Sequence, residues 1–227
     1  SALLLEADGY CLGIDCPDRY RGALAHAGAA RGRPIDPGAV DQLLITHLHG
    51  DHVNGLEGYA FYKRFVEQKR LGLWLSPEAR QVIWEGRLQA PMGRLYDGVD
   101  FRTLTFEDYF DDHPLPFDRT TQVGPFRIQT RRTLHHIPTS ALLVEYGGRT
   151  LGISADTAYD PKLLQFLSAA DLIIHETNHG PAHTPYERLA ELPEALRAKM
   201  RLIHYPDEFD LAASVIRPRR EGEVLEP

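Results

Sequence analysis

Short apolar runs alternate along this chain with segments whose apolar residues recur at helical spacing. Leu43-Leu44-Ile45 lies in a strand predicted over residues 41–46, and the spacing of the following apolar residues predicts a helix over 55–69. Residues 71–75 predict the next strand, and a further helix follows it. Strands that alternate with helices in this way predict an α/β fold.

Two distant segments, residues 1–14 and 140–153, carry nearly the same pattern: SALLLEADGYCLGI and SALLVEYGGRTLGI. Each predicts a β-hairpin, followed by an acid (Asp15 or Asp156), by helical residues and by an apolar strand. Chance similarity between two hairpins is the competing explanation. The repeat favours two similar halves, each a sheet with helices outside, whose sheets pack face to face.

Residues 86–120 interrupt this regular pattern, because glycine, proline and acidic residues dominate them. We expect a loop-rich insertion with a single strand near residues 101–106. Such an insertion would line a substrate pocket or contact a second subunit, which leaves a homodimer open. His113, beside Pro114, fits a surface position better than that of a metal ligand.

The composition is typical of a globular protein, with 43% hydrophobic and 25% charged residues in a chain of 227. This length suits one domain over residues 1–227, or at most two small ones. No segment approaches the roughly 20 apolar residues of a membrane span. The net charge of −7 argues against a long nucleic-acid partner, but it permits a small anionic substrate at a metal site.

The start of the chain and its cysteines bear on location. The sequence opens directly in a predicted strand, so we expect the native start, together with any targeting segment, to lie upstream of Ser1. Cys11 and Cys16 are too few for a disulfide framework, which makes a cytoplasmic location the default expectation.

The strongest chemical signal follows the strand predicted at 41–46. The segment Thr46-His-Leu-His-Gly-Asp-His52 carries three histidines and a carboxylate. Gly50 permits a sharp turn, so His47 and His49 would point one way while Asp51 and His52 point another. Imidazole and carboxylate groups are ligands for zinc, manganese and iron. Two divergent pairs in one turn predict two adjacent metal ions.

Further residues that can bind metal follow other predicted strands: His135 or His136, Asp156 and His204, with Glu176 behind them as support. A layered α/β fold places its sites where strands end at one edge of the sheet. A single histidine after a strand is more often a core or surface residue. Several of them, in a chain that also carries a four-ligand cluster, favour one shared site.

These motifs resemble those of the metallo-β-lactamase superfamily. The resemblance rests on residues 46–52, 135–141, 154–157 and 202–204, which follow the family's order and cover nearly the whole chain. It implies an αβ/βα four-layer sandwich built from two similar halves, with a dinuclear site between the sheets. It also implies a full ligand set, with Asp156 as the bridge: His47, His49 and His135 for the first metal, and Asp51, His52 and His204 for the second.

Two neighbouring residues receive supporting roles from the same resemblance. The family pattern His-x-x-Pro-Thr fits His135 rather than His136, which would then support the ligands or face the substrate. Asp15, at the corresponding end of the first hairpin, would support the histidine segment.

The bridging aspartate distinguishes this chain from true β-lactamases, which place a cysteine where Asp156 stands. The closer resemblance is to the RNase Z-like and cyclic-nucleotide phosphodiesterase branch. In RNase Z-like proteins a glutamate and a histidine lie by the scissile phosphate, so His183 is the candidate proton donor and Glu176 would orient it. A capping role for His183 and a donor role for His179 stay open as alternatives.

The resemblance implies that two divalent ions, zinc or else manganese or iron, activate a bridging water for attack, with Asp51 as both ligand and proton acceptor. The leading hypothesis is therefore a metal-dependent phosphodiesterase acting on a small nucleotide or another phosphodiester. A hydrolase of carboxylic esters, thioesters or lactones would use the same ligands. The third alternative, a non-catalytic metal-binding protein, conflicts with the complete ligand set. The chain lacks a basic Gly/Pro-rich arm, which argues against tRNA processing.

Overall fold

The computed structural model describes residues 1–225, and the chain divides into two compact units, Ser1–Pro116 and a second unit that begins at Phe117. The strands of the first unit are β1 Leu3–Ala7, β2 Tyr10–Ile14, β3 Gln42–Leu44, β4 Leu71–Leu75, β5 Arg94–Tyr96, β6 Phe101–Thr103 and β7 Phe110–Pro114. Its α-helices are α1 Tyr20–Ala30, α2 Gly50–Val53, α3 Leu56–Phe61, α4 Pro77–Ile83 and α5 Gln89–Met92.

The second unit contains a second sheet and three helices. Its strands are β8 Thr120–Val123, β9 Phe126–Arg132, β10 Ser140–Tyr146, β11 Arg149–Ile153, β12 Leu172–Glu176 and β13 Met200–Ile203. Its helices are α6 Pro161–Leu167, α7 Tyr186–Ala190 and α8 Glu194–Ala198. The α/β pattern predicted from the sequence is confirmed in both units.

Each unit combines a hairpin with parallel strands. The first sheet has the order β1-β2-β3-β4-β7, in which β1 and β2 pair antiparallel and every later pair is parallel. The second sheet has the order β13-β12-β11-β10-β9-β8, in which β11, β12 and β13 are parallel. Parallel pairs need crossover connections, and helices α1, α3 and α6 lie in those connections.

The two hairpins have the same register, which confirms that the sequence repeat is structural. Leu3 pairs with Ile14 in the first hairpin, and Leu142 pairs with Ile153 in the second. Both residues of each tight turn have positive φ, at Asp8-Gly9 and at Gly147-Gly148. This conformation suits a two-residue turn that follows the strand twist, and it explains why glycine occupies three of those four positions.

Helices cover one face of the sheet in each unit and bury its apolar residues. Leu43 and Leu73 of the first sheet pack in one cluster with Leu24 of α1. In the second unit, Met200 and Leu202 of β13 pack in a cluster with residues of α6 and α7. Burial of such side chains stabilises the fold by about 1.5–3 kcal/mol each.

The prediction of a single strand within residues 86–120 is wrong, because the structure has three strands there. β5 and β6 form a separate hairpin, and β7 extends the first sheet by pairing parallel with β4. The β7 sequence, Phe-Asp-Asp-His-Pro, lacks the apolar pattern of a strand. Its backbone ladder with β4 and the buried Phe110 hold it instead, while Asp111 pairs with Arg70 at 2.6 Å and Asp112 with Arg80 at 2.8 Å through partly exposed side chains.

The helix predicted over residues 55–69 is shorter and less regular than expected. The α-helix ends at Phe61, and a π-helical turn continues over Tyr62–Val66. The buried Lys63 lies in this turn, where its ammonium group donates to the carbonyl of Val40 at 2.8 Å and contacts Glu67 Oε2 at 3.1 Å. No helix among residues 1–225 has both the length and the hydropathy needed to span a bilayer.

Gly55 and Gly58 provide a matched pair of substitutions near the start of α3. A Cβ at Gly55 would overlap the Pro17 carbonyl and lie 3.1 Å from that of Cys16, whereas one at Gly58 would meet none of the described residues within 4 Å. We expect Gly55→Ala to lower the free energy of unfolding by about 2 kcal/mol or more. Gly58→Ala should raise it by about 0.5–1 kcal/mol. Urea denaturation followed by circular dichroism measures both, and equal effects would contradict this packing.

Candidate metal centre

In the first unit, the polar cluster lies where β3 leads into α2. The ring centroid of His47 is 4.9 Å from that of His49 and 4.1 Å from that of His52. His47 and His52 are buried, whereas His49 is half-buried directly before α2. The Asp51 carboxylate lies 3.1 Å from His52 Nε2. Three imidazoles and a carboxylate therefore surround one short turn, as the sequence predicted for this segment.

The buried carboxylate of Asp15 holds this turn in place. It accepts hydrogen bonds from the Thr46 backbone N–H at 2.7 Å and from the Thr46 hydroxyl at 2.8 Å. Its second oxygen lies 2.7 Å from His52 Nδ1. The predicted contact between Asp15 and the histidine segment is thus confirmed. Because Asp15 occupies Nδ1, the Nε2 atom of His52 is the one directed to Asp51.

The Asp15 carboxylate also changes the proton affinity of His52. Burial by itself lowers the pKa of this imidazole, but the charge and hydrogen bond of Asp15, with a smaller contribution from Asp51, outweigh burial and raise the pKa to about 9. In the metal-free protein the ring is therefore a cation at neutral pH. A metal ion bound at His52 would have to displace that proton.

In the second unit, three imidazoles converge on one oxygen of Asp156. Its Oδ2 atom lies 3.9 Å from His135 Nε2, 3.9 Å from His183 Nδ1 and 3.8 Å from His204 Nε2. Ligand atoms of Asp156, His183 and His204 lie within 4.8 Å of one another. Nitrogen and carboxylate donors at this spacing fit a divalent transition metal such as zinc.

Backbone conformation and hydrogen bonds direct these side chains. His135 Nδ1 lies 2.9 Å from the carbonyl of Ala182, so it carries the proton and leaves Nε2 available as a ligand. Ala155, directly before Asp156, has φ of 48°, and His204 has φ of 52°. Non-glycine residues seldom adopt this conformation, which concentrates at functional sites.

Glu176 and His183 form a pair beside Asp156. Glu176 Oε1 lies 3.1 Å from His183 Nδ1 and accepts hydrogen bonds from the backbone N–H groups of Thr157 and Thr184. Burial raises the pKa of Glu176, although His183 and the Thr157 N–H oppose this effect. Within residues 1–225 its second oxygen, Oε2, is buried and has no hydrogen-bond partner.

The structure separates the alternative histidines from this cluster. His136 is exposed, whereas the side chain of His135 is fully buried. His179 has an exposed side chain that pairs with Glu208 at 2.7 Å. His113 stacks on Trp74 of the neighbouring strand, with ring centroids 4.5 Å apart. None of these three is among the groups of described residues that could hold a metal ion.

Sequence comparison of the repeats missed the role of Ser154. The sequence aligned Asp15 with Asp156, since both follow a hairpin. The register instead makes Ser154 the counterpart of Asp15, because its hydroxyl accepts from the Glu176 backbone N–H at 2.9 Å just as Asp15 accepts from that of Thr46. The sequence did contain a signal for this equivalence, because Leu-Gly-Ile is followed directly by a short polar residue in both repeats.

Comparison with known proteins identifies the family. The family model described as "Anti-Pycsar protein Apyc1" matches residues 1–220. The chain belongs to the Anti-Pycsar protein Apyc1 family. One member, from Paenibacillus harenae, is 30% identical over 238 residues, which cover 97% of this chain and 91% of that protein. As an Apyc1-family protein, the chain is a metal-dependent hydrolase of the phosphodiesterase type, as the sequence predicted.

Two further relatives bear on activity and fold. The protein named cAMP/cGMP-dependent 3′,5′-cAMP/cGMP phosphodiesterase B, from Dictyostelium discoideum, is 25% identical over 205 residues, 82% of this chain but 18% of that protein. The crystal structure of YhfI from Bacillus subtilis, a metallo-β-lactamase fold protein, has a TM-score of 0.72 at 20% identity, covering 92% of this chain and 80% of that one. The predicted metallo-β-lactamase fold is confirmed.

Asp15→Asn should lower the pKa of His52 from about 9 to below its ordinary value of 6.5, because burial then acts without the opposing charge. Protonated His52 stabilises the metal-free protein fully below pH 6.5, and this contribution, on the order of 3 kcal/mol, is lost as the pH rises through 9. We expect Asp15→Asn to remove that pH dependence.

Histidine titration by NMR, together with urea denaturation between pH 6 and 9.5, measures both effects in chelator-treated protein. Asp18→Asn is the matched control, since Asp18 is exposed and accepts from the Asn54 side chain in the same unit. An unchanged His52 titration in Asp15→Asn would show that the carboxylate does not control this proton.

Proposed function

We propose that this chain hydrolyses the phosphodiester of small 3′,5′-cyclic nucleotides. The observation that carries the proposal is the convergence of His135, His183 and His204 on Asp156 Oδ2, with Glu176 paired to His183. It fits a centre that binds a phosphate oxygen beside a proton donor. The Dictyostelium relative, named as a 3′,5′-cAMP/cGMP phosphodiesterase, supports this substrate class.

We further propose that the centre holds two divalent ions, with zinc as the first choice. In this proposal His47, His49 and His135 would hold one ion, Asp51, His52 and His204 would hold the other, and Asp156 would be available to both. The donor types support it, because each half of the set consists of imidazole and carboxylate groups. When bound, such ions supply Lewis-acid stabilisation of phosphate charge and activation of water for attack.

Two proton transfers in this proposal are assigned to side chains of the protein. We assign to His183 the transfer of a proton to the leaving 3′-oxygen, so that a ribose hydroxyl departs instead of an alkoxide. Glu176 orients the ring from 3.1 Å and stabilises its cationic form. Asp51, with a side chain 56% exposed, acts as ligand and as acceptor for the proton of the attacking water.

The same proposal extends to substrate size and location. A small anionic substrate agrees with the net charge of −7, which disfavours long nucleic acids. Both cysteines are buried free thiols, and burial raises the pKa of Cys11 to about 12. Unreactive reduced thiols agree with a cytoplasmic location.

Metal-loaded protein should hydrolyse cyclic nucleotides and bis-p-nitrophenyl phosphate much faster than p-nitrophenyl acetate or a homoserine lactone. His47→Ala and Asp156→Asn should each lower both metal content and phosphodiester turnover by at least about a hundredfold. His26→Ala, an exposed change on α1, is the control and should alter neither. Elemental analysis and product chromatography provide the measurements. Faster ester than phosphodiester turnover would reject the proposed substrate class.

His183→Ala should slow cyclic-nucleotide hydrolysis by about 10²–10⁴-fold, because the ribose oxygen is a poor leaving group without a proton. Hydrolysis of bis-p-nitrophenyl phosphate should fall far less, since p-nitrophenolate needs no proton to leave. His179→Ala, with its exposed side chain, is the matched control. Equal losses on both substrates, accompanied by loss of metal, would instead make His183 a metal ligand.

A further inference from the structure

Three arginines lie around a single β-bridge that joins residues 217–219 to β13: Arg201 in the strand, and Arg217 and Arg219 in the added segment. Residues 217–219 run parallel to β13: the Leu202 N–H donates to the carbonyl of Arg217 at 3.0 Å, and the Arg219 N–H donates to that of Leu202 at 2.8 Å. This pattern pairs Leu202 with Pro218. Side chains of successive residues in an extended segment point to opposite faces. The arginines that flank this pair, Arg201, Arg217 and Arg219, therefore project from the face opposite to that of Leu202.

The positive charge of this arginine face is balanced only in part by acids. Leu202 is buried in the core cluster of the sheet, so the arginines lie on the other side. Burial and the charges of Arg219 and Arg217 lower the pKa of Arg201. Among the described residues, Glu223 is the single carboxylate paired with any of the three, at 2.6 Å from Arg219 Nη1. Three cations thus face one anion.

Two of the guanidinium groups also have buried donors without acceptors. The Arg219 side chain is 10% exposed, and its Nε atom is buried without a hydrogen-bond partner in residues 1–225. The Nε atom of Arg201 is likewise buried without a hydrogen-bond partner among residues 1–225. Its Nη1 atom donates to the carbonyls of Ala198 and Met200. Buried donors normally find acceptors, so the hydrogen-bonding capacity of these two guanidinium groups is not fully used by the described residues.

We propose that Arg201, Arg217 and Arg219 form a binding site for a small phosphate-bearing anion. Planar guanidinium groups bind phosphate oxygens in pairs, which gives both affinity and orientation. The deep burial of Arg219 favours a compact anion over an acidic helix or a nucleic-acid strand. None of the three arginines belongs to the proposed metal ligands, so this site does not depend on the proposed function.

Calorimetric titration of the metal-loaded protein with pyrophosphate tests the site. We expect Arg217→Gln to weaken one pyrophosphate-binding event by at least about tenfold, because the positive charge and the paired N–H donors of an exposed guanidinium group are lost. Hydrolysis of bis-p-nitrophenyl phosphate should stay at the level of the unaltered chain. Arg217→Lys keeps the positive charge but loses the planar guanidinium group with its paired N–H donors. It should therefore bind pyrophosphate better than Arg217→Gln but more weakly than the unaltered chain.

Arg149→Gln is the matched control, because Arg149 is an exposed arginine of the same unit at the start of β11. It should leave every pyrophosphate-binding event unchanged. If Arg217→Gln and Arg149→Gln weakened pyrophosphate binding equally, the effect would come from net charge alone, and the proposal would be overturned. The proposed site is also rejected if Arg217→Gln leaves all binding events intact. Parallel titrations with inorganic phosphate, a nucleoside 5′-monophosphate and acetate separate phosphate recognition from general anion binding.

Discussion

In both units, a polar side chain that follows the hairpin accepts the backbone N–H at the end of the next parallel strand. Asp15 accepts from Thr46 in the first unit, and Ser154 accepts from Glu176 in the second. A buried N–H at the end of a strand has lost its ladder partner, and leaving it unpaired costs free energy. This bond therefore supplies the acceptor that the N–H lacks at the point where the chain leaves the sheet. The histidine segment follows Thr46 directly, and Glu176 is itself the donor in the second unit.

The two versions of this contact have different electrostatic consequences. Ser154 is neutral and satisfies one backbone donor. Asp15 carries a charge, and a buried carboxylate requires several donors to offset its lost hydration. It obtains them from Thr46 and His52, and in return it holds the imidazole in one orientation. The same position thus makes a structural contact in the second unit and, in the first, a contact that also raises the pKa of His52.

In the second unit, buried carboxylates likewise lie in contact with the histidines. Asp156 is 3% exposed, and its Oδ2 atom lies 3.9 Å from His135 Nε2 and 3.8 Å from His204 Nε2. Glu176 is equally buried, and its hydrogen bonds from Thr157 and Thr184 hold it against His183. The positive φ at Ala155 and His204 shows that the backbone accepts an unfavourable conformation so that these groups can converge.

The sequence by itself determined the α/β class, the paired hairpins and the metal-binding character of residues 46–52, because each depends on local pattern: apolar periodicity, turn residues and ligand spacing. It could not reveal β7, whose strand conformation depends on pairing with β4 and not on an apolar pattern, nor the role of Ser154, which depends on register. Nor could it separate His135 from His136 or His183 from His179 on physical grounds. Only the tertiary structure decides which imidazole is buried beside Asp156, since burial and hydrogen-bond geometry arise from segments far apart in the chain.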